Sequence, residues 1–312
     1  MAMRVLLNHQ TAAEAKEAVR SWVRDEPEAD LAVTREPGEA RDVIRMWVDE
    51  GVDRVVAAGG DGTLHLAASV LLETTDADAP GQIPALGLCP LGTGNDFARS
   101  IGCPTQPADA LGRALRASPQ PIDVLRADTD APDAGPRWVV NAAAGGFSGE
   151  VDEVITREQK DRWGPLAFVL GAAELATSVP EYETVIQYRS EAAGEQQTWR
   201  GRTVNVICSN GRTIGGGRAV APHAKLTDGR MELVVLRAGS LPELAGAGTR
   251  LMAGSWDEHD LVDIRSVVSA RIRSAPGLKF NVDGDLWTEG PVRIEVVENA
   301  LRIIPGSDAP AI

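Results

Sequence analysis

Arg54-Val55-Val56-Ala57-Ala58-Gly59-Gly60-Asp61-Gly62-Thr63-Leu64-His65-Leu66-Ala67-Ala68-Ser69-Val70-Leu71-Leu72 decides the fold. Its first five residues form an apolar run of buried-strand type, and Leu64 to Leu72 reads as a helix. A glycine-rich turn from strand to helix lets backbone N–H groups converge on an anion, and the helix N-terminus adds partial positive charge. Asp61 complicates that picture, because a carboxylate repels phosphate unless a cation sits between them. The economical reading is a nucleotide phosphate held together with Mg²⁺. The plain alternative is a tight turn with Asp61 as the helix N-cap. The loop has neither the Gly-Lys-Ser/Thr of a Walker A nor the G-x-G-x-x-G of a dinucleotide fold.

A second element of the same kind follows. Ala85-Leu86-Gly87-Leu88-Cys89 is strand-like, and Pro90-Leu91-Gly92-Thr93-Gly94-Asn95-Asp96-Phe97-Ala98-Arg99 leads into a short helix, with Asn95 or Thr93 placed to cap it. Two strand–loop–helix junctions, each with an Asp, belong at one edge of a parallel sheet, where open α/β sheets bind ligands. Upstream, Arg4-Val5-Leu6-Leu7 is a first strand, a helix spans about Ala12 to Arg24, Leu31-Ala32-Val33-Thr34 is a second strand ended by Pro37, and a helix runs from about Gly38 to Gly51. This alternation over residues 1–125 predicts a doubly wound parallel sheet. Past Pro121 the texture changes. Asp128 to Pro136 reads as a solvated loop, followed by short alternating runs at Trp138 to Ala142, Thr184 to Tyr188, Thr203 to Cys208, Met231 to Leu236 and Val292 to Val296. Period-two patterning with Gly-rich turns predicts an antiparallel sheet or sandwich over 126–300, with one helical segment at about Asp152 to Ser178. The fold class is therefore α/β, in two domains: a doubly wound parallel-sheet nucleotide-binding domain and an antiparallel β-rich, sandwich-like one.

Composition narrows the function. With 312 residues, 43% of them hydrophobic, the chain can bury real cores. A net charge of −14 and a pI near 4.8 argue against nucleic acid as a partner. Lysine occurs only at Lys16, Lys160, Lys225 and Lys279, amid abundant Arg, Asp and Glu. Such an acidic surface suits a high-salt cytoplasm, as in a halophile; a high-GC genome favouring Arg and Ala is the other explanation. At about 1 M salt the Debye length is about 3 Å, so this surface would not strongly repel nucleotides or anionic lipids. Cys89, Cys103 and Cys208 form no C-x-x-C pair and read as buried, reduced residues of a cytosolic protein. The four His show no zinc spacing. Met1 to Leu7 lacks the apolar h-region of a leader, and no apolar run reaches the length of a membrane span.

The two loops together resemble the diacylglycerol kinase catalytic-domain family, in its soluble prokaryotic lipid-kinase branch. Gly59-Gly60-Asp61-Gly62-Thr63 is shared with NAD kinases, whereas Pro90-Leu91-Gly92-Thr93-Gly94-Asn95-Asp96 is distinctive of the lipid kinases. Gly215-Gly216-Gly217 through Pro222, Ala224 and Asp228-Gly229 resembles the family's glycine triplet and Asp-Gly metal loop, and Asn281-Val282-Asp283-Gly284-Asp285 resembles its Asp-Gly-Glu element. The likeness covers nearly the whole chain.

The resemblance implies an ATP- and Mg²⁺-dependent kinase of a lipid hydroxyl, such as a diacylglycerol-like or isoprenoid glycerol lipid, with its active site in the cleft between the domains and with residues 301–312 able to return to the first domain. It implies nucleotide contacts from Thr34, Gly59, Gly60, Asp61, Gly62, Thr63, Leu64, His65, Gly92, Thr93, Gly94, Asn95 and Asp96. Thr34 is equally well read as a strand-end residue. Asp61 is the candidate catalytic Mg²⁺ ligand, and Asp285 the candidate acceptor of the substrate's proton. Asp283-Gly284 between two strand-like runs is at the same time a hairpin signature. The Asp228 carboxylate with the carbonyls of Lys225 and Arg230 suits a second, structural Mg²⁺; a type I′ turn at Asp228-Gly229 is the metal-free alternative. The chain departs from the family at several positions. Asp285 replaces Glu, shortening the reach by about 1.5 Å. Asn8 is followed by His9-Gln10-Thr11 with no basic residue before Lys16, His65-Leu66 replaces an Asn-Glu pair, and His223 replaces an acidic residue. His9 and His65 suit either substitute donors or surface and capping roles. These departures leave two rivals: a kinase of a soluble acceptor, as in the NAD kinases, and a catalytically silent nucleotide- or lipid-binding protein. The expected membrane contact is peripheral and transient, and a homodimer is compatible with the sequence.

Overall fold

The computed structural model describes residues 2–74, 83–132, 134–147 and 179–307. The helix read over 152–178 falls outside the described residues. The chain divides into two units, Met1–Val124 with Glu298–Ile312, and Leu125–Val297.

In the first unit, β1 (Met3–Asn8), α1 (Ala13–Asp25), β2 (Ala29–Thr34), α2 (Pro37–Asp49), β3 (Arg54–Gly59), α3 (Asp61–Glu73) and β4 (Ala85–Pro90) alternate, followed by α4 (Asp96–Ser100) and α5 (Pro107–Arg116). Pro37 opens α2 instead of merely ending β2; proline suits the first helical position, where its missing N–H costs nothing. The strands are all parallel in the spatial order β2-β1-β3-β4, with Asn8 opposite Thr34 and Gly59 opposite Pro90. Alternation along β1 sends Met3, Val5 and Leu7 into a cluster with Val19 of α1 and Leu111 and Leu115 of α5. On α2, Ile44 and Trp47 are buried, and this helix packs against α3. Helices on both faces make the sheet doubly wound. The chain leaves β1 toward β2 and returns past it to β3, so the order reverses between β1 and β3.

The second unit is antiparallel. It is entered within β5 (Gln120–Thr129) and left within β17 (Val292–Ile303). Between them come β6 (Arg137–Val139), β7 (Ala142–Gly146), β8 (Tyr182–Arg189), β9 (Gln197–Ser209), β10 (Thr213–Ile214), β11 (Arg218–Ala219), β12 (Met231–Arg237), α6 (Leu241–Ala253), β13 (Val262–Val267), β14 (Ser269–Ala275), β15 (Lys279–Val282) and β16 (Asp285–Glu289). Strand β9 is the hub: its first half pairs with β8, and its second half with β7 on one side and β12 on the other. The sheet buries both faces. Ala143, Val206, Cys208 and Leu233 face one core, while Ala142, Ala144, Ile207 and Val234 face another with Trp256. The run Trp138 to Ala142 is two strands, not one, broken at Val140 and Asn141. Helix α6 escaped the period-two reading, although Ser240 and Glu243 form a capping box, a motif legible as S-x-x-E.

The last residues of β17 belong to the first unit. Ile303 aligns with Leu86, the Ile304 N–H donates to the Leu86 carbonyl at 2.9 Å, and the Gly306 N–H donates to Ile101 at 2.8 Å.

Candidate active site

The reversal between β1 and β3 marks where a doubly wound sheet binds its ligand, beyond the carboxyl ends of the strands. Asn8 ends β1 and Gly59 ends β3. Across that gap the Asn8 side-chain amide donates to Thr63 Oγ1 at 3.4 Å. The His9 N–H donates to the Thr34 carbonyl at 3.0 Å, which places the buried Thr34 one strand further out.

The two glycine loops touch backbone to backbone. A Cβ built on Gly92 would lie 2.5 Å from Gly60 Cα, and the Leu91 N–H donates to the Gly59 carbonyl at 2.8 Å. Only hydrogen at Gly92 permits this approach, while a Cβ on Gly60 would be a tight 3.3 Å from Gly92 Cα. At Gly59, a Cβ would collide with Thr63 Oγ1. The Leu64 side chain is buried in the core, and its N–H donates to the Gly60 carbonyl at 3.2 Å. Gly62 and Thr93 lie in half-open or open positions on the two loops, and His65 follows on the first turn of α3.

Neither loop is capped as the sequence suggests. Gly60, not Asp61, is the N-cap of α3, and that helix has no side-chain cap. Asn95 stands at the N-cap of α4 in a left-handed conformation, φ 50°. Its side chain turns back instead: Oδ1 accepts the Gly92 N–H at 3.0 Å and Nδ2 donates to the Gly92 carbonyl at 2.6 Å. Asn95 thereby closes its own loop, and Thr93 caps nothing. The donors at the start of α4 go to Asp61, whose carboxylate accepts the N–H groups of Asn95, Asp96 and Phe97. Asp61 is thus the staple between the loops.

Burial pushes the Asp61 carboxyl above its ordinary pKa, and the nearby Asp96 carboxylate pushes it further, while the three N–H groups pull it back. Asp96 is itself buried. The two carboxylates thus lie close enough for one to raise the pKa of the other. A carboxylate oxygen is the kind of donor that a hard divalent cation takes.

Three features of the second unit carry the remaining residues singled out in the sequence. Asp283 and Gly284 both have positive φ, 48° and 91°, and join β15 to β16 with Val282 opposite Asp285, a type I′ hairpin. Asp285 opens β16 and is exposed. At Asp228-Gly229 only Gly229 has positive φ, 69°, so the bend is not type I′. Asp228 is exposed, and its Oδ1 accepts the Arg230 N–H at 3.1 Å, while the Arg230 guanidinium donates to the Ser190 carbonyl at 2.8 Å. Among the described residues no group of three His, Cys, Asp or Glu side chains could hold a metal. A cation at the Asp228 loop would rest on one carboxylate plus the Lys225 and Arg230 carbonyls and water, an all-oxygen set that suits Mg²⁺. Sequence reading missed Glu232, a half-buried neighbour of this loop whose pKa is raised by burial and also by Asp228. Its signal is faint, a single acidic residue in an apolar strand.

Residues 3–127 match the diacylglycerol kinase catalytic domain, and residues 141–305 match the YegS C-terminal NAD kinase beta sandwich-like domain. A protein of Xanthomonas campestris pv. campestris named "Probable lipid kinase YegS-like" is 33% identical over 310 residues, spanning 98% of this chain and 97% of that one. The chain belongs to the YegS-like lipid kinase family. A Pseudomonas putida protein of the same name is also 33% identical, over 92% of this chain and 90% of its own. The fold agrees: the crystal structure of a Bacillus anthracis diacylglycerol kinase superposes with a TM-score of 0.71 at 18% identity, covering 99% of this chain and 98% of that one. Among the described helices of this family member none is long and apolar enough to cross a membrane.

Proposed function

We propose that this protein transfers the γ-phosphoryl group of ATP to the free hydroxyl of a lipid, in a reaction that depends on Mg²⁺. The contact of the two glycine loops, stapled through Asp61 where the sheet order reverses, carries the reading. Family membership supports the lipid as acceptor, and the diacylglycerol-like or isoprenoid glycerol lipids are the class we favour.

Phosphoryl transfer asks the protein mainly for positioning and charge neutralisation. Backbone N–H groups of the two glycine loops orient the phosphates, and the N-terminus of α3 adds its dipole. Asp61 and Asp96 would hold Mg²⁺ there; Asp228 with the Lys225 and Arg230 carbonyls would hold a structural one. Bound Mg²⁺ supplies the positive charge that lets a polyphosphate approach carboxylates. Asp285 receives the proton of the attacking hydroxyl, and because that proton leaves late in a loose transition state, its placement matters more than its basicity. Contact with the bilayer is peripheral and lasts as long as substrate capture requires.

The test is transfer of radiolabelled phosphate from ATP to dispersed lipid acceptors with Mg²⁺, at low and high salt. A labelled lipid is the expected product. Absence of label in every lipid and small alcohol tried, at both salt levels, would overturn the reading.

A further inference from the structure

The Asp283 carboxylate is not exposed to act on substrate. Its Oδ2 accepts the Val140 N–H at 2.8 Å, and its Oδ1 accepts the N–H groups of Asn141 and Ala142, both at 2.9 Å. The Asp283 N–H donates to the Ala142 carbonyl at 2.9 Å. One side chain therefore collects three successive amides of the segment that breaks β6 from β7. The other side of that segment is held too. The Asn141 carbonyl accepts the N–H groups of Asn210 and Gly211 at 2.8 and 2.9 Å, and the Asn210 side chain donates to the Val140 carbonyl at 2.8 Å. The Asn141 side chain donates to the Thr213 carbonyl at 2.9 Å.

These bonds form a polar brace from the exit of β9, through residues 140–142, to the tip of the β15–β16 hairpin. Asp285 stands two residues beyond Asp283, at the start of β16, and Gly284, Asp285 and Leu286 are all exposed. Packing and the ladder to β7 hold the hairpin as far as Val282, which is buried opposite Ala143; past that point the brace through Asp283 fixes the direction of the turn. Charge-assisted bonds to three amides are strong and directional.

We propose that Asp283, with Asn141, is a positioning residue that fixes the attack geometry of Asp285. This rests on the assignment of Asp285 as proton acceptor given above. Both residues act through Asp285 and touch neither nucleotide nor acceptor. A displacement of about 1 Å at a reacting group can cost about a hundredfold in rate.

Asp283→Asn is the sharpest variant, because Asn-Gly supports a type I′ turn as well as Asp-Gly does. Its Oδ1 can still take Asn141 and Ala142, while its amide nitrogen opposes the Val140 N–H. The expected result is a kcat at least about tenfold lower, a KM for ATP within about threefold of wild type, and an unchanged circular dichroism spectrum. The decisive measurement is the double variant with Asp285→Asn. If Asp283 acts through Asp285, its effect vanishes once Asp285 is neutralised. Multiplying effects, with Asp285→Asn alone strongly impaired, overturn the positioning role and leave the proposed function standing. Full activity of Asp285→Asn overturns the positioning role and the assignment of Asp285 as proton acceptor, and leaves the phosphoryl transfer itself standing. Should Asp283→Asn not fold, Asn141→Ala replaces it in the same cycle, since it breaks the tie to Thr213 and no bond of Asp283. There too a vanishing effect supports the brace and a multiplying one overturns it.

Discussion

Asp61 in the first unit and Asp283 in the second do the same local work. Each sits beside glycine in a tight bend, and each gathers three consecutive backbone N–H groups from a segment distant in sequence. They differ in company. Asp61 lies near the buried Asp96, which raises its pKa, whereas Asp283 sits between backbone segments with Asp285, the proposed proton acceptor, two residues away and exposed. An identical hydrogen-bonding device therefore serves two ends. Where a second carboxylate crowds it, the staple is the proposed partner of a cation. Where three backbone amides converge on it, it is a fastener.

The contrast is open to attack at several strengths. Asp61→Ala should remove both the cation partner and the bonds to α4, so phosphate transfer is expected to fall at least about a thousandfold in the radiolabel assay; residual activity within tenfold of wild type would reduce Asp61 to a fastener as well. Asp285→Ala should lower kcat by about a hundredfold, in the 10²–10⁴ range of general base catalysis, with the KM for ATP little changed in steady-state kinetics. Gly92→Ala forces a methyl against Gly60 Cα, and thermal denaturation should register a loss of about 1–3 kcal/mol together with weaker nucleotide binding by calorimetry.

A gentler probe uses pH. Because Asp61 is raised, the folded protein holds its proton to higher pH than the unfolded chain, so the stability from this group is full below the ordinary carboxylate pKa and is lost as pH rises through the folded value. Ionised Asp61 is the form that binds a cation, so activity should climb through that same raised pKa. Asp96→Asn removes the repulsion and should slide the acidic limb of the kcat/KM profile to lower pH; an unmoved limb would mean that Asp96 does not reach Asp61. The smallest effect concerns the thiols. Burial pushes Cys89, Cys103 and Cys208 up to about 12, so an aromatic disulfide reagent at pH 8 should label none of them until the protein is unfolded.

What the chain disclosed in advance was whatever it wrote contiguously. The strand, glycine loop and helix around Asp61 are neighbours in sequence, as are those around Asp96, so hydrophobic period and turn chemistry exposed both junctions. The cap of α4 was hidden because its carboxylate comes from the other loop, and a sequence offers no reason to look there once Asn95 and Thr93 stand at the expected place. Asp283 was hidden for the same reason: Asp-Gly announces a turn but not the destination of its carboxylate. In the β-rich unit, alternation located β8 and β12 within a residue or two, yet nothing local says that β9 serves three partners. The reading of β17 stopped at Val296, because its second half runs into another core where the alternation restarts on different neighbours.

The passage of β17 back into the first unit has a consequence for how the protein is made. The last strand of the parallel sheet and the Arg113 bond to the Gly306 carbonyl, 3.0 Å, depend on residues beyond the entire second unit. A ribosome that has finished the glycine loops has still to synthesise the whole β-rich insert before the sheet they stand on is complete. A nascent chain stalled at Val297 would carry every motif of the kinase and an unsealed edge beside β4, a natural template for chaperones to guard.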